Sequence, residues 1–178
     1  NAVTKNNENV NSIRFHPTQS MAATYIALGS ALAGGESRAD IYKYQISNGS
    51  FSRVYANDPD ADVQAVGWFP SSGDYLVTTS LTTANQQIHL NAFVAEALIG
   101  QDDSGINRTA TVQNDTIAWD GVGQYFAAGF DDTASDSSLG IFHFDAATIT
   151  ATLGSGGDLS ISNSIGANVL ALDWSPTG

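Results

Sequence analysis

The stretch Asn57-Asp58-Pro59-Asp60-Ala61-Asp62 places three carboxylates at alternate positions of one short segment. Hard oxygen donors spaced like this suit calcium, which gathers carboxylates, carbonyls and water around itself. Asp58, Asp60 and Asp62 are therefore the candidate metal ligands, and calcium is the one cofactor the residues suggest. A solvated acidic loop is the plainer reading, because Val63 and Phe69 stand where an EF-hand loop needs Gly and Glu. Asp131, Asp132 and Asp136 form a second acidic loop, and Gln101-Asp102-Asp103-Ser104-Gly105 reads as an ordinary hairpin turn. The three histidines, His16, His89 and His143, fall in separate elements and read as surface or strand-face residues. There is no nucleophile elbow, HExxH, Walker loop or dinucleotide fingerprint. No residue is singled out as catalytic, and a non-enzyme is expected.

Eighteen acidic against six basic residues leave a formal charge of −12. That field repels phosphate backbones and anionic lipid, so neither nucleic acid nor membrane insertion is expected, and a basic protein partner is favoured. Without cysteine there is no disulfide framework or thiolate chemistry. The stretch from Met21 to Gly35 superficially resembles a signal-peptide core, but it lacks a basic lead-in. The chain starts at Asn1 rather than Met, which suggests a processed or excerpted polypeptide. Asn48, Asn107 and Asn114 open Asn-x-Ser/Thr sequons, usable only in a secretory setting. The acidic, lysine-poor, cysteine-free composition leans towards the extracellular space or periplasm without deciding the compartment.

The elements that must position these residues repeat. Ile13-Arg14-Phe15-His16-Pro17, Val66-Gly67-Trp68-Phe69-Pro70, Ile117-Ala118-Trp119-Asp120-Gly121 and Leu172-Asp173-Trp174-Ser175-Pro176 recur at spacings of 53, 51 and 55 residues. In each, two large apolar residues flank a variable one, the period of a strand with a deeply buried face. A turn residue follows. Met21, Tyr75 and Tyr125 then open second strands rich in Ala, Gly and Thr. IYKYQI, IHLNAFV and GIFHFD form third strands. SFSRVYA, NRTATV and either ITATL or LSISNSI supply fourth ones. Four strands per unit at this period predict an all-β chain of propeller blades.

At these residues the chain resembles the WD-repeat propeller family. Trp174-Ser175-Pro176-Thr177-Gly178 and Trp68 to Leu76 resemble its Trp-Ser-Pro-Asp-Gly-x-Tyr-Leu core. Gly129-Phe130-Asp131-Asp132 resembles its turn between second and third strands, and Phe144-Asp145 stands where its Trp-Asp dipeptide would be. The Gly-His pair that precedes each first strand in that family is missing from every copy, and the repeats are longer than usual.

The resemblance implies four-stranded antiparallel blades, three complete and a fourth partial. Residues 1–9 are read as the tail of a preceding blade, 10–62 as the first blade, 63–113 as the second and 114–168 as the third. Residues 169–178 are the first strand and turn of an incomplete one. Three blades cannot close a ring, so a fragment of a longer propeller is expected. Blade topology would gather Glu36, Asn114, Asp115, Asp131, Asp132 and Asp136 with the 58–62 loop on one acidic rim. The implied function is a non-catalytic scaffold for a protein partner. One alternative is a structural subunit of an extracellular assembly, self-associating through uncovered blade faces. The other is part of a propeller hydrolase or lactonase.

Overall fold

The computed structural model describes residues 8–18, 20, 22–32, 38–57, 62–81, 86–100, 107–108, 116–129, 139–148, 150–153, 169 and 171–175. The first sheet is formed by β1 (Glu8–Phe15), β2 (Ala23–Leu32), β3 (Arg38–Gln45) and β4 (Ser50–Asn57), paired in chain order. In the second, β5 (Asp62–Trp68), β6 (Tyr75–Leu81), β7 (Gln86–Val94) and β8 (Ala97–Gly100) follow the same order, and β9 (Asn107–Arg108) also pairs with β7. The third holds β10 (Thr116–Trp119), β11 (Tyr125–Gly129), β12 (Leu139–Asp145) and β13 (Thr150–Leu153). All these pairings are antiparallel, and no helix occurs among the described residues. The all-β class of antiparallel sheets expected from the repeats is the class observed.

The second sheet is buried on both faces. Val63, Val66, Trp68 and Leu76 pack with Ala27 and Ile41 of the first sheet. Ala65, Val77, Ile88 and Leu90 pack with Ile117, Phe126 and Phe142 of the third. Strands covered on two sides lose the apolar–polar alternation of a half-solvated strand. That is why β5 and β6 read as nearly continuous apolar and small residues.

Register defines the repeat more sharply than sequence spacing does. Phe15 pairs with Ile26, Trp68 with Leu76 and Trp119 with Phe126. The residue before each partner is Tyr25, Tyr75 or Tyr125. Tyr25, rather than Met21, is thus the counterpart of the other two tyrosines; Met21 lies outside the described residues. The first turn is simply longer. A β-bulge falls at the same place in two sheets, between Val10 and Ser12 and between Val63 and Ala65.

The fourth-strand position also varies. SFSRVYA is β4 and ITATL supplies β13, while LSISNSI lies outside the described residues. In the second sheet two short strands share the edge of β7. β8 pairs with residues 91–94, and β9 with Gln86 and Gln87. β8 escapes a repeat-based reading because Ala95 and Glu96 form its tight turn with φ of 52° and 67°, without the Gly or Asn that signals such a turn.

Candidate functional site

One hydrogen bond recurs at each seam between copies. Trp68 Nε1 donates to the Arg14 carbonyl (3.2 Å), Trp119 Nε1 to the Gly67 carbonyl (3.1 Å) and Trp174 Nε1 to the Ala118 carbonyl (2.9 Å). The acceptor is always the variable residue just before the previous copy's aromatic. A backbone carbonyl does not depend on side-chain type, so the bond itself can be made from Arg14, Gly67 or Ala118 alike. Residues 171–175 are irregular, yet they dock through the same bond, and Val169 lies over Gly129 as Val63 lies over Gly29.

Each of the first two seams also carries a four-ring cluster. Between the first and second sheets, Trp68 lies 4.8 Å from His16 and 5.2 Å from Phe93, with Tyr25 5.2 Å from Phe93. Between the second and third, Trp119 lies 5.4 Å from Phe69 and 5.3 Å from Phe144, with Tyr75 5.2 Å from Phe144. His16 occupies the place of Phe69. It is buried rather than a surface residue, and its Nδ1 sits 2.9 Å from the Thr18 carbonyl. His89 Nε2 is 2.9 Å from Ser80 Oγ, and the His143 ring stands edge-on to Tyr125. The three histidines support three separate local structures and do not converge.

A second seam contact escaped the sequence reading. The Tyr25 hydroxyl donates to Glu96 Oε1 (2.8 Å), and Lys43 Nζ donates to the same oxygen. Tyr75 makes the corresponding reach, its hydroxyl donating to the Ala146 carbonyl (3.3 Å). In both cases a tyrosine in a second strand meets the third-to-fourth hairpin of the next sheet. The fifty-residue spacing of Tyr25, Tyr75 and Tyr125 was the available signal. Hydrogen bonding by Lys43 and then Tyr25 holds the Glu96 carboxyl below its ordinary range. The bond to Glu96 raises Lys43, and burial followed by Glu96 raises Tyr25.

Where the first strands converge there is a cavity of about 240 Å³. Gly67 and Ala118, the acceptors of two of the seam bonds, are among its lining residues. Trp68, Ile117 and Trp119 supply apolar wall, and Arg14 and Asp173 add one charge of each sign.

Of the residues expected on an acidic rim, Asp62 is the one that is described. Asp62 is the first residue of β5, opposite Leu81. Asp58, Asp60, Glu36, Asn114, Asp115, Asp131, Asp132 and Asp136 lie outside the described residues. Among the described residues no group of three or more His, Asp or Glu side chains is placed to hold a metal ion. Asn48 is exposed in the β3–β4 turn, where its Oδ1 accepts from the Ser50 N–H (2.9 Å).

No family model and no curated protein matches the chain. Among solved structures, a chain of a mitotic checkpoint complex aligns with a TM-score of 0.50 and 14% identity, covering 100% of this chain and 50% of its own length. An uncharacterized protein from Listeria monocytogenes aligns with a TM-score of 0.48 and 9% identity, over 80% of this chain and 40% of that one. The chain thus spans half or less of these structures. At such identity the first likeness speaks for fold alone, and the fold is propeller-like and all-β, with sheets that do not close a ring among the described residues.

Proposed function

We propose that the chain is a non-catalytic propeller-type module that offers rigid sheet surfaces to protein partners. The supporting observation is an uncovered apolar row on the first sheet. Val10, Ile13 and Phe15 are 44%, 49% and 61% exposed, whereas their counterparts Val63, Val66 and Trp68 are 1%, 0% and 6% exposed. The same side-chain types are buried wherever another sheet covers them, so the row has the chemistry of a protein-packing surface. The charge of −12 favours basic partners. The open row equally supports the second reading, a structural subunit whose sheets are completed by neighbouring chains.

The test is the oligomeric state of the chain and of Phe15→Ser by sedimentation over a concentration series. The row predicts concentration-dependent association that weakens in the variant. A wild-type chain that stays monomeric throughout, or a variant that associates equally well, removes the row as a contact surface.

A further inference from the structure

We infer that the cavity between the first strands binds a small zwitterion, an apolar α-amino acid or the equivalent end-to-end unit of a dipeptide. Its about 240 Å³ falls short of the roughly 300–1,000 Å³ typical of drug-sized ligands, so it accommodates a group of amino-acid size. Its chemistry is mixed in a particular way. Arg14 and Asp173 line the same space without pairing with one another: Arg14 Nη1 donates to the Ile13 carbonyl (2.9 Å), and Asp173 Oδ1 accepts from the Trp174 N–H (2.9 Å). A guanidinium recognises a carboxylate, and a carboxylate recognises an ammonium. Trp68, Ile117 and Trp119 give apolar wall for a side chain in the same cavity.

Other ligand classes fit worse. A purely apolar molecule would strip water from both charges and return no hydrogen bonds. A divalent cation needs several oxygen donors, and among the described residues Asp173 is the one carboxylate lining the cavity. A polyphosphate meets a chain of charge −12. The walls themselves are firm. Gly67 and Ala118 are held through their carbonyls by Trp119 and Trp174, so the cavity floor is set by the same bonds that join the sheets.

The experiment is calorimetric titration of the chain at low ionic strength with L-leucine and with glycyl-L-leucine. The parallel arms use N-acetyl-L-leucine, which lacks the ammonium, and L-leucinamide, which lacks the carboxylate. Saturable binding of L-leucine or the dipeptide is expected, weakened about tenfold or more in either blocked compound. Asp173→Asn should lose the discrimination against the acetylated compound, and Arg14→Gln that against the amide. Comparing L-leucine with the dipeptide tells a free amino acid from a peptide source. Blocked compounds binding as well as the zwitterions, or no saturation by either zwitterion up to about 20 mM, overturns the inference. Because the blocked ligands test both charges on the unaltered chain, a variant that fails to fold does not shield it.

Discussion

The Trp119 indole N–H donates to the carbonyl of Gly67, 3.1 Å away in the preceding sheet. Gly67 also lies in close packing with the strand that brings this donor. A Cβ there would sit 2.8 Å from Ile117 Cγ2 and 3.3 Å from Trp119 Nε1. Donor, acceptor and the missing methyl form one packing unit at this seam, while the neighbouring seams repeat the bond alone, with Arg14 and Ala118 as acceptors.

Trp119→Phe keeps most of the ring and removes the donor. Leaving the Gly67 carbonyl without its partner should cost about 1–3 kcal/mol. For a chain of this length each kcal/mol lowers the melting temperature by about 2–4 °C. Thermal unfolding followed by circular dichroism measures it, and an unchanged midpoint would show that the bond contributes nothing.

Gly67→Ala should destabilise by about 1–3 kcal/mol through overpacking against Ile117 and Trp119. Gly73→Ala should cost more. Its φ of +74° disfavours any L side chain, and a methyl there would overlap the His16 ring. Urea denaturation of both variants beside the parent gives the order, Gly73→Ala the weaker fold.

If His16 and Phe69 are equivalent members of equivalent clusters, His16→Phe should be tolerated within about 1.5 kcal/mol. His16→Ala, which empties the ring's place, should cost about 2–5 kcal/mol. Equal losses in the two variants would mean that the imidazole's contact with Thr18, rather than ring packing, holds the position.

The Lys43–Glu96–Tyr25 contact predicts a pH signature. Glu96 is depressed in the folded state, so its contribution is present above the ordinary carboxylate range and lost as pH falls through its lowered value. Lys43 and Tyr25 are raised, so theirs is present below their unfolded values and lost as pH rises through the raised ones. Glu96→Gln should flatten both flanks of the melting-temperature profile relative to the parent, leaving the neutral region least dependent on pH. The Lys43 and Glu96 side chains keep 24% and 39% of their surface exposed, so the effect should also shrink with added salt. Identical profiles for variant and parent would dismiss the contact as a contributor.

Much of the architecture was legible before any coordinates. The aromatic-then-turn phrases around Phe15, Trp68 and Trp119 mark first strands, and Tyr75-Leu76 and Tyr125-Phe126 mark second ones. These are consequences of alternation and turn chemistry, which act between near neighbours. Tyr25 is obscured because a longer first turn sets it farther beyond Phe15 than Tyr75 stands beyond Trp68 or Tyr125 beyond Trp119, although the three tyrosines are evenly spaced. β8 was missed because its turn uses Ala95 and Glu96. The burial of His16 is not legible in the sequence because nothing within a few positions of it reveals three rings arriving from β2, β5 and β7.

The sequence by itself determined the strand-rich repeat, its period and the acidic character of the chain, because composition and alternation are local quantities that survive any arrangement of the sheets. Only the tertiary structure decided which carbonyl each indole meets, which face of each sheet is covered, and that Arg14 and Asp173 line one cavity from opposite ends of the chain. Such pairings join residues fifty or more positions apart. They exist only once stacking has brought those backbones within hydrogen-bond reach.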